Sequence, residues 1–138
     1  MFSNIMVPVD LAHIDDLRRA LDCAGDLARH YDAKITFVGV TAAAPSATAH
    51  DPKEFQQKLT AFADKEGATF GVTTKAHTVI SHDPATDLDN ALLKATKETG
   101  ADLVVMASHL PALKDYLWPS NGGKVAAHAA CTVMVVRG

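Results

Sequence analysis

The apolar residues of this chain fall into two patterns that alternate along its length. Five short runs are rich in apolar and β-branched residues, which is typical of the strands of a parallel sheet that is covered on both faces. Between them, apolar residues recur every three or four positions, as on one face of a helix. The predicted strands are 4–9, 34–40, 75–81, 103–107 and 132–136.

The start of the second helix has the clearest sequence signature. Asp51 is a good N-cap residue, Pro52 suits the first helical position, and Glu54 stands third, as in a capping box. The same Asp-Pro step at 83–84 predicts the start of the third helix. The predicted helices cover 14–31, 52 to about 70, 84–99, and a last segment that begins at Ser120.

The alternating order predicts one α/β domain over residues 1–138. Its parallel sheet needs helices on both faces, and right-handed crossovers favour a doubly wound, five-stranded sheet in the order 3-2-1-4-5. In that order the connections reverse direction between the first and fourth strands, and ligands of such sheets bind at the carboxyl ends of the strands flanking the reversal. Those ends are Pro8, Val9 and Asp10, and Met106, Ala107, Ser108 and His109.

Net charge and cysteine content narrow the function classes. The formal charge of −3 argues against nucleic acid as a partner, which calls for a basic patch. Cys23 and Cys131 lie in apolar stretches outside any zinc-ligand spacing, so we expect small buried thiols. The N-terminus has no basic region or cleavage site, and no run is long enough to span a membrane, so we expect a cytoplasmic protein.

The start of the last helix is the candidate anion site. Ser120, Asn121 and Gly122 are small or polar, and the N–H groups of a first helical turn lack intrahelical partners and can bind phosphate. Topology brings Asp10 and Ser108 toward the same cleft. Both residues keep two possible roles at this point. Asp10 either binds a ligand or caps the following helix, and Ser120 either binds phosphate or is an ordinary N-cap.

Three segments carry a family resemblance that covers the whole chain. They are Ile-Met-Val-Pro-Val-Asp at 5–10, Asp-Leu-Val-Val-Met-Ala-Ser-His at 102–109, and His-Ala-Ala-Cys-Thr-Val-Met-Val-Val-Arg at 128–137. In this order and at these distances the chain resembles the universal stress protein family, in its short bacterial branch.

The resemblance implies an ATP site, with AMP or ADP as alternatives. Nucleotide-binding members carry glycines where this chain has Ala107, Leu110 and Pro119, whereas Ser120 matches the family's phosphate hydroxyl. The resemblance also implies that the backbone at Val40 faces the adenine and that Asp10 contacts the nucleoside or a Mg²⁺ ion. The implied nucleotide-binding residues are Pro8, Val9, Asp10, Val40, Met106, Ala107, Ser108, His109, Ser120, Asn121 and Gly122.

Two functions follow from the resemblance. The first is a stress-response regulator that binds ATP and acts through dimerisation or a partner protein, a transporter among the candidates. The second is a dimeric scaffold whose altered phosphate loop no longer binds nucleotide. Either form implies a homodimer, or a tetramer, built through the apolar edge strand Thr132 to Val136. Catalysis is not expected, because no general base or arginine finger is evident.

Overall fold

The computed structural model describes residues 1–46, 48–84, 86–108 and 118–138, with side chains in the last range from residue 123 onward. In this part of the chain five strands alternate with four α-helices, and a 3₁₀ helix follows the first strand. The strands are β1 (Asn4–Pro8), β2 (Lys34–Thr41), β3 (Thr74–Ile80), β4 (Leu103–Ala107) and β5 (Thr132–Val136). The helices are the 3₁₀ helix (Leu11–Leu17), α1 (Arg18–Tyr31), α2 (Pro52–Phe70), α3 (Leu88–Thr99) and α4 (Trp118–His128).

The five strands form one parallel sheet in the order β3-β2-β1-β4-β5. This confirms the predicted fold class and strand order. β1 therefore lies at the centre of the sheet, and the chain reverses its direction of winding between β1 and β4.

Helices cover both faces of the sheet, as the doubly apolar strands predict. On the α1/α2 face, Leu21 and Leu59 pack against Phe37 and its neighbours on the strands. Gly39 permits this close approach, because a Cβ there would lie 2.5 Å from the Phe55 ring. On the α3/α4 face, the buried residues are Met6, Val38, Val79, Ala91, Leu92, Ala95, Val104, Met106 and Val125.

The predicted start of the first helix is wrong by several residues. The Asp10 carboxylate accepts a hydrogen bond from Ala12 N at 3.0 Å, and the chain winds into the 3₁₀ helix at once. His13 then leaves helical geometry at φ −135° and ψ 42°, so the regular α-helix begins at Arg18.

The predicted starts of the third and fourth helices also need correction. The Asp83 carboxylate accepts hydrogen bonds from the backbone N–H and the hydroxyl of Thr86. The Asp-Pro step therefore lies in a turn that precedes the helix, and α3 begins at Leu88. α4 begins at Trp118, two residues before Ser120, with Pro119 in its first turn, where proline is tolerated.

The second helix starts as predicted. Asp51 accepts a hydrogen bond from Glu54 N at 2.7 Å, and Pro52 occupies the first turn. The Glu54 carboxylate reaches back to the N–H of His50 at 2.8 Å, which lowers its pKa. The helix ends at Gly71, whose φ of 68° is a left-handed conformation that glycine adopts without strain.

β5 is less buried than a strand inside the sheet. It lies at the sheet edge, and Met134 and Val135 are 36% and 37% exposed. The description of this run as a buried strand is therefore wrong, whereas its predicted place at the edge is confirmed.

Candidate functional site

A crevice opens between β1 and β4 at their carboxyl ends. The two strands pair at Ile5 with Leu103 and at Met6 with Val104. Beyond these residues β1 pairs with β2 as far as Pro8, and β4 pairs with β5 as far as Ala107. The carboxyl-terminal half of β1 thus bonds only to β2, and that of β4 only to β5. The sheet is therefore open between β1 and β4, where its topology reverses.

Pro8 suits the wall of this crevice. In a parallel strand, successive residues bond to alternate neighbours. Val9 N donates to Val38 O of β2 at 2.8 Å, whereas Asn4 O faces β4 and accepts from Asp102 N at 3.0 Å. Pro8 therefore faces β4, at the point where pairing has stopped. Because proline has no N–H, no backbone donor is left without a partner there.

Asp10 lies at the mouth of the crevice and has two protein contacts. One carboxylate oxygen caps the 3₁₀ helix at Ala12 N, and the other lies 2.9 Å from His13 Nδ1. The side chains of Asp10 and His13 are 27% and 30% exposed. The capping interpretation is thus confirmed. Each carboxylate oxygen has a second lone pair, so the ligand role stays a prediction.

The other strand-end residues are placed as topology predicts. Met106 and Ala107 are buried, and the half-exposed Ser108 donates its N–H to Val136 O at 2.9 Å. Val40 packs against the core of the α3/α4 face. His109 and Leu110 lie outside the described residues.

The N-terminal end of α4 supplies the far side of the site. Ser120, Asn121 and Gly122 fall in its first turns, and their side chains lie outside the described part of the chain. At the next residue, Gly123, no atom of the described residues outside its own helix and chain neighbours lies within 4 Å of the position that a Cβ would take. Lys124 is directed elsewhere, because its Nζ lies 3.8 Å from an Asp89 carboxylate oxygen on α3.

Two residues near this edge were not among the predicted site residues. His13 pairs with Asp10, and its spacing of three residues is the signal that could have shown it. Ser81 is 7% exposed, and its hydroxyl has no hydrogen-bond partner among the residues that the structure describes. The sequence predicts Ser81 as the last residue of the third strand, but its burial depends on how β2 and β3 pair.

Sequence comparison places the chain in a known family. The sequence model of the universal stress protein family matches residues 1–137. The chain belongs to the universal stress protein family. A curated relative, universal stress protein G of Escherichia coli O157:H7, is 27% identical over 143 residues, covering 99% of this chain and all of that protein.

Solved structures show the same fold. A universal stress protein in complex with cAMP superimposes with a TM-score of 0.71 at 22% identity, covering 98% of this chain and 97% of that one. The universal stress protein of Archaeoglobus fulgidus in complex with dAMP gives a TM-score of 0.66 at 18% identity, with 96% of each chain covered.

The cysteines of this universal stress protein lie away from the crevice. Cys23 and Cys131 are half-buried free thiols, less buried than predicted. Burial raises the pKa of each thiol, and Asp26 adds to this effect at Cys23. Both thiols are therefore weakly reactive at neutral pH.

Within residues 1–46, 48–84, 86–108 and 118–138, no group of three or more His, Cys, Asp or Glu side chains is arranged to hold a metal ion. None of the helices there combines the length and apolarity needed to span a membrane.

Proposed function

We propose that this universal stress protein binds an adenine nucleotide, ATP in the first place, in the crevice between β1 and β4. The observation that carries the proposal is that β1 and β4 stop pairing after Met6 and Val104, while the helix that follows β4 in the chain is α4, with its small and polar first residues. Unpaired N–H groups at a helix start bind phosphate, and Gly122 and Gly123 add no side chain that would hinder an anion there. The neighbours solved with cAMP and dAMP add support, since both ligands are adenine nucleotides.

Asp10 fits a role beside the nucleoside or a phosphate-bound Mg²⁺ ion. Its carboxylate is partly exposed and keeps lone pairs beyond the bonds to Ala12 and His13. Mg²⁺ is usually held through one or two carboxylates together with substrate phosphates and water. A single carboxylate at the crevice therefore suits an ion that arrives with the nucleotide.

We further propose that the protein is a cytoplasmic regulator rather than an enzyme or a nucleic-acid-binding protein. It would act as a homodimer through β5, or as a tetramer, or on a partner protein such as a transporter. The exposed apolar residues of β5 support the dimer, because an uncovered sheet edge invites pairing. The net charge of −3 disfavours nucleic acid.

A dimeric scaffold that binds no nucleotide is the second candidate. The observation that favours it is Pro119 in the first turn of α4, which removes one N–H from the proposed phosphate site. Ala107 also adds a methyl group at the end of β4, where nucleotide-binding members carry glycine. Both candidates share the β5 dimer, so nucleotide binding separates them.

The binding test is calorimetry and thermal unfolding with ATP and Mg²⁺. A ligand that binds only the native state raises the melting temperature by mass action. We expect Ser120→Ala with Asn121→Ala to weaken ATP binding about tenfold while the protein stays folded, corresponding to roughly 1.4 kcal/mol of lost contacts. The matched control is Gln57→Ala with Thr60→Ala on the exposed side of α2, which should leave the affinity unchanged.

The outcomes are distinct. No heat and no shift in melting temperature for the unmodified protein favours the scaffold. Binding that survives the double substitution at 120 and 121 means that the phosphates lie elsewhere.

A further inference from the structure

The Ser81 hydroxyl is a buried polar group without a partner among the described residues. Ser81 follows β3 directly and is 7% exposed, and its Oγ makes no hydrogen bond within residues 1–46, 48–84, 86–108 and 118–138. Buried hydroxyls are nearly always hydrogen-bonded, so each exception calls for an explanation. A ligand that supplies the missing partner is one such explanation.

The position of Ser81 is fixed by the pairing of β2 with β3. Its N–H donates to Thr41 O at 2.9 Å, which extends the ladder one residue beyond the pair Thr41 and Ile80. Side chains alternate along a strand, so Ser81 lies on the same face as Val79, two residues earlier. That is the α3/α4 face, where Val40 also packs.

This face is the one that carries the candidate phosphate site. α4 packs there through Val125, so the start of α4 and Ser81 lie at the same edge of the sheet and on the same face. β4 and β3 are separated by β1 and β2, a distance of three strand spacings or about 14 Å. An extended nucleoside phosphate has a comparable length.

Resting on the proposed function, we propose that Ser81 determines base recognition by hydrogen-bonding the edge of the nucleobase. With the phosphate at α4 and the ribose beside Asp10, just beyond β1, the base reaches the ends of β2 and β3. A hydroxyl both donates and accepts, so it can pair with the amino group or a ring nitrogen of adenine. His82 and Asp83 are exposed, so the turn after Ser81 can shift for the base without disturbing the core.

The test is AMP binding by calorimetry to the unmodified protein, Ser81→Ala and the control Thr78→Val. The Thr78 hydroxyl donates to Gln56 of α2, so it lies on the opposite face of the sheet from Ser81. Thr78→Val therefore removes a hydroxyl from the same strand but from the other face. We expect Ser81→Ala to weaken AMP about threefold to tenfold, as for one lost hydrogen bond. We expect Thr78→Val to leave the affinity unchanged.

A thermal unfolding curve without nucleotide keeps the test decisive. Because Ser81→Ala removes an unpartnered group, the melting temperature of this variant should equal or exceed that of the unmodified protein. If the alanine variant is unstable, Ser81→Cys keeps the shape of the side chain and replaces the hydroxyl by a weak donor. Unchanged AMP affinity in these variants overturns the inference and leaves the proposed function intact. If the unmodified protein binds no adenine nucleotide, the proposed function fails, and this inference fails with it.

Discussion

Glu66 lies between α1 and α2 and is only 4% exposed, although it carries a charge. Arg18 donates to both of its carboxylate oxygens, at 3.1 and 2.5 Å. This contact raises the pKa of Arg18, which stays charged. A buried carboxylate is tolerated only while it is paired, so the packing of the two helices depends on Arg18.

We expect Arg18→Met to lower the free energy of unfolding by about 1–3 kcal/mol. The expected loss is below the roughly 3–5 kcal/mol for breaking a fully buried pair, because the Arg18 side chain is 42% exposed and water screens the pair. Urea unfolding measures the change. The exposed pair of Lys94 and Glu98, 4.0 Å apart, is the control, and Lys94→Met should change stability by less than about 0.5 kcal/mol.

The double variant Arg18→Met with Glu66→Met separates charge from packing. Removing both charges removes the unpaired carboxylate, so the double variant should be more stable than Arg18→Met alone. Equal or lower stability of the double variant would show that packing rather than the buried charge causes the loss.

At the residue scale, sequence predicted positions better than contacts. Topology placed Asp10 and Ser108 at the crevice, and the structure agrees. It did not predict that Asp10 pairs with His13, or that the Ser81 hydroxyl is buried with no partner in the described part of the chain. These contacts depend on the kink at His13 and on the register of β2 with β3, which follow from tertiary packing and not from local pattern.

At the element scale, two identical Asp-Pro steps have different structures. Asp51-Pro52 starts α2, because Glu54 N donates to the Asp51 side chain and the Glu54 side chain closes the turn. At 83–84, the backbone N–H of Thr86 makes the corresponding bond to Asp83, but the Thr86 hydroxyl also donates to this carboxylate, and a turn precedes the helix. The dipeptide predicts that a turn or helix starts, and the residues after it decide which one forms.

We expect Asp51→Ala to lower the free energy of unfolding by about 1 kcal/mol, since it removes a side-chain cap. Asp87 is the matched control: it stands at the N-cap of α3 but makes no capping bond to the helix backbone. Asp87→Ala should therefore cost less than half as much. Chemical denaturation measures both variants, and equal losses would show that the Asp51 bond contributes nothing specific.

At the scale of the whole molecule, the strand order was fully predictable. Doubly apolar strands, alternating helices and right-handed crossovers leave few arrangements, and the observed sheet is the expected one. The exposure of β5 was harder to judge, since an edge strand that pairs with a second copy has the same apolar composition as a central strand. This ambiguity leads to the test of the proposed dimer.

The hydrogen-bonding geometry of β5 shows which groups are free for a partner. Val136 O accepts from Ser108 N, so Val136 and Met134 bond toward β4. The alternate residues Val133 and Val135 direct their backbone groups away from the sheet. Proline is tolerated on an edge strand where its missing N–H faces outward, so Val135→Pro should leave the β4–β5 ladder intact.

We expect the unmodified protein to be a dimer by light scattering and Val135→Pro to be a monomer with unchanged far-ultraviolet circular dichroism. The reason is that proline removes a donor from the pairing edge. Ile80→Pro provides the control on the opposite edge, because Ile80 is 57% exposed and alternates with Ser81, whose N–H faces β2. It should remain dimeric. A dimer that survives Val135→Pro, or one that Ile80→Pro dissociates, would rule out association through β5.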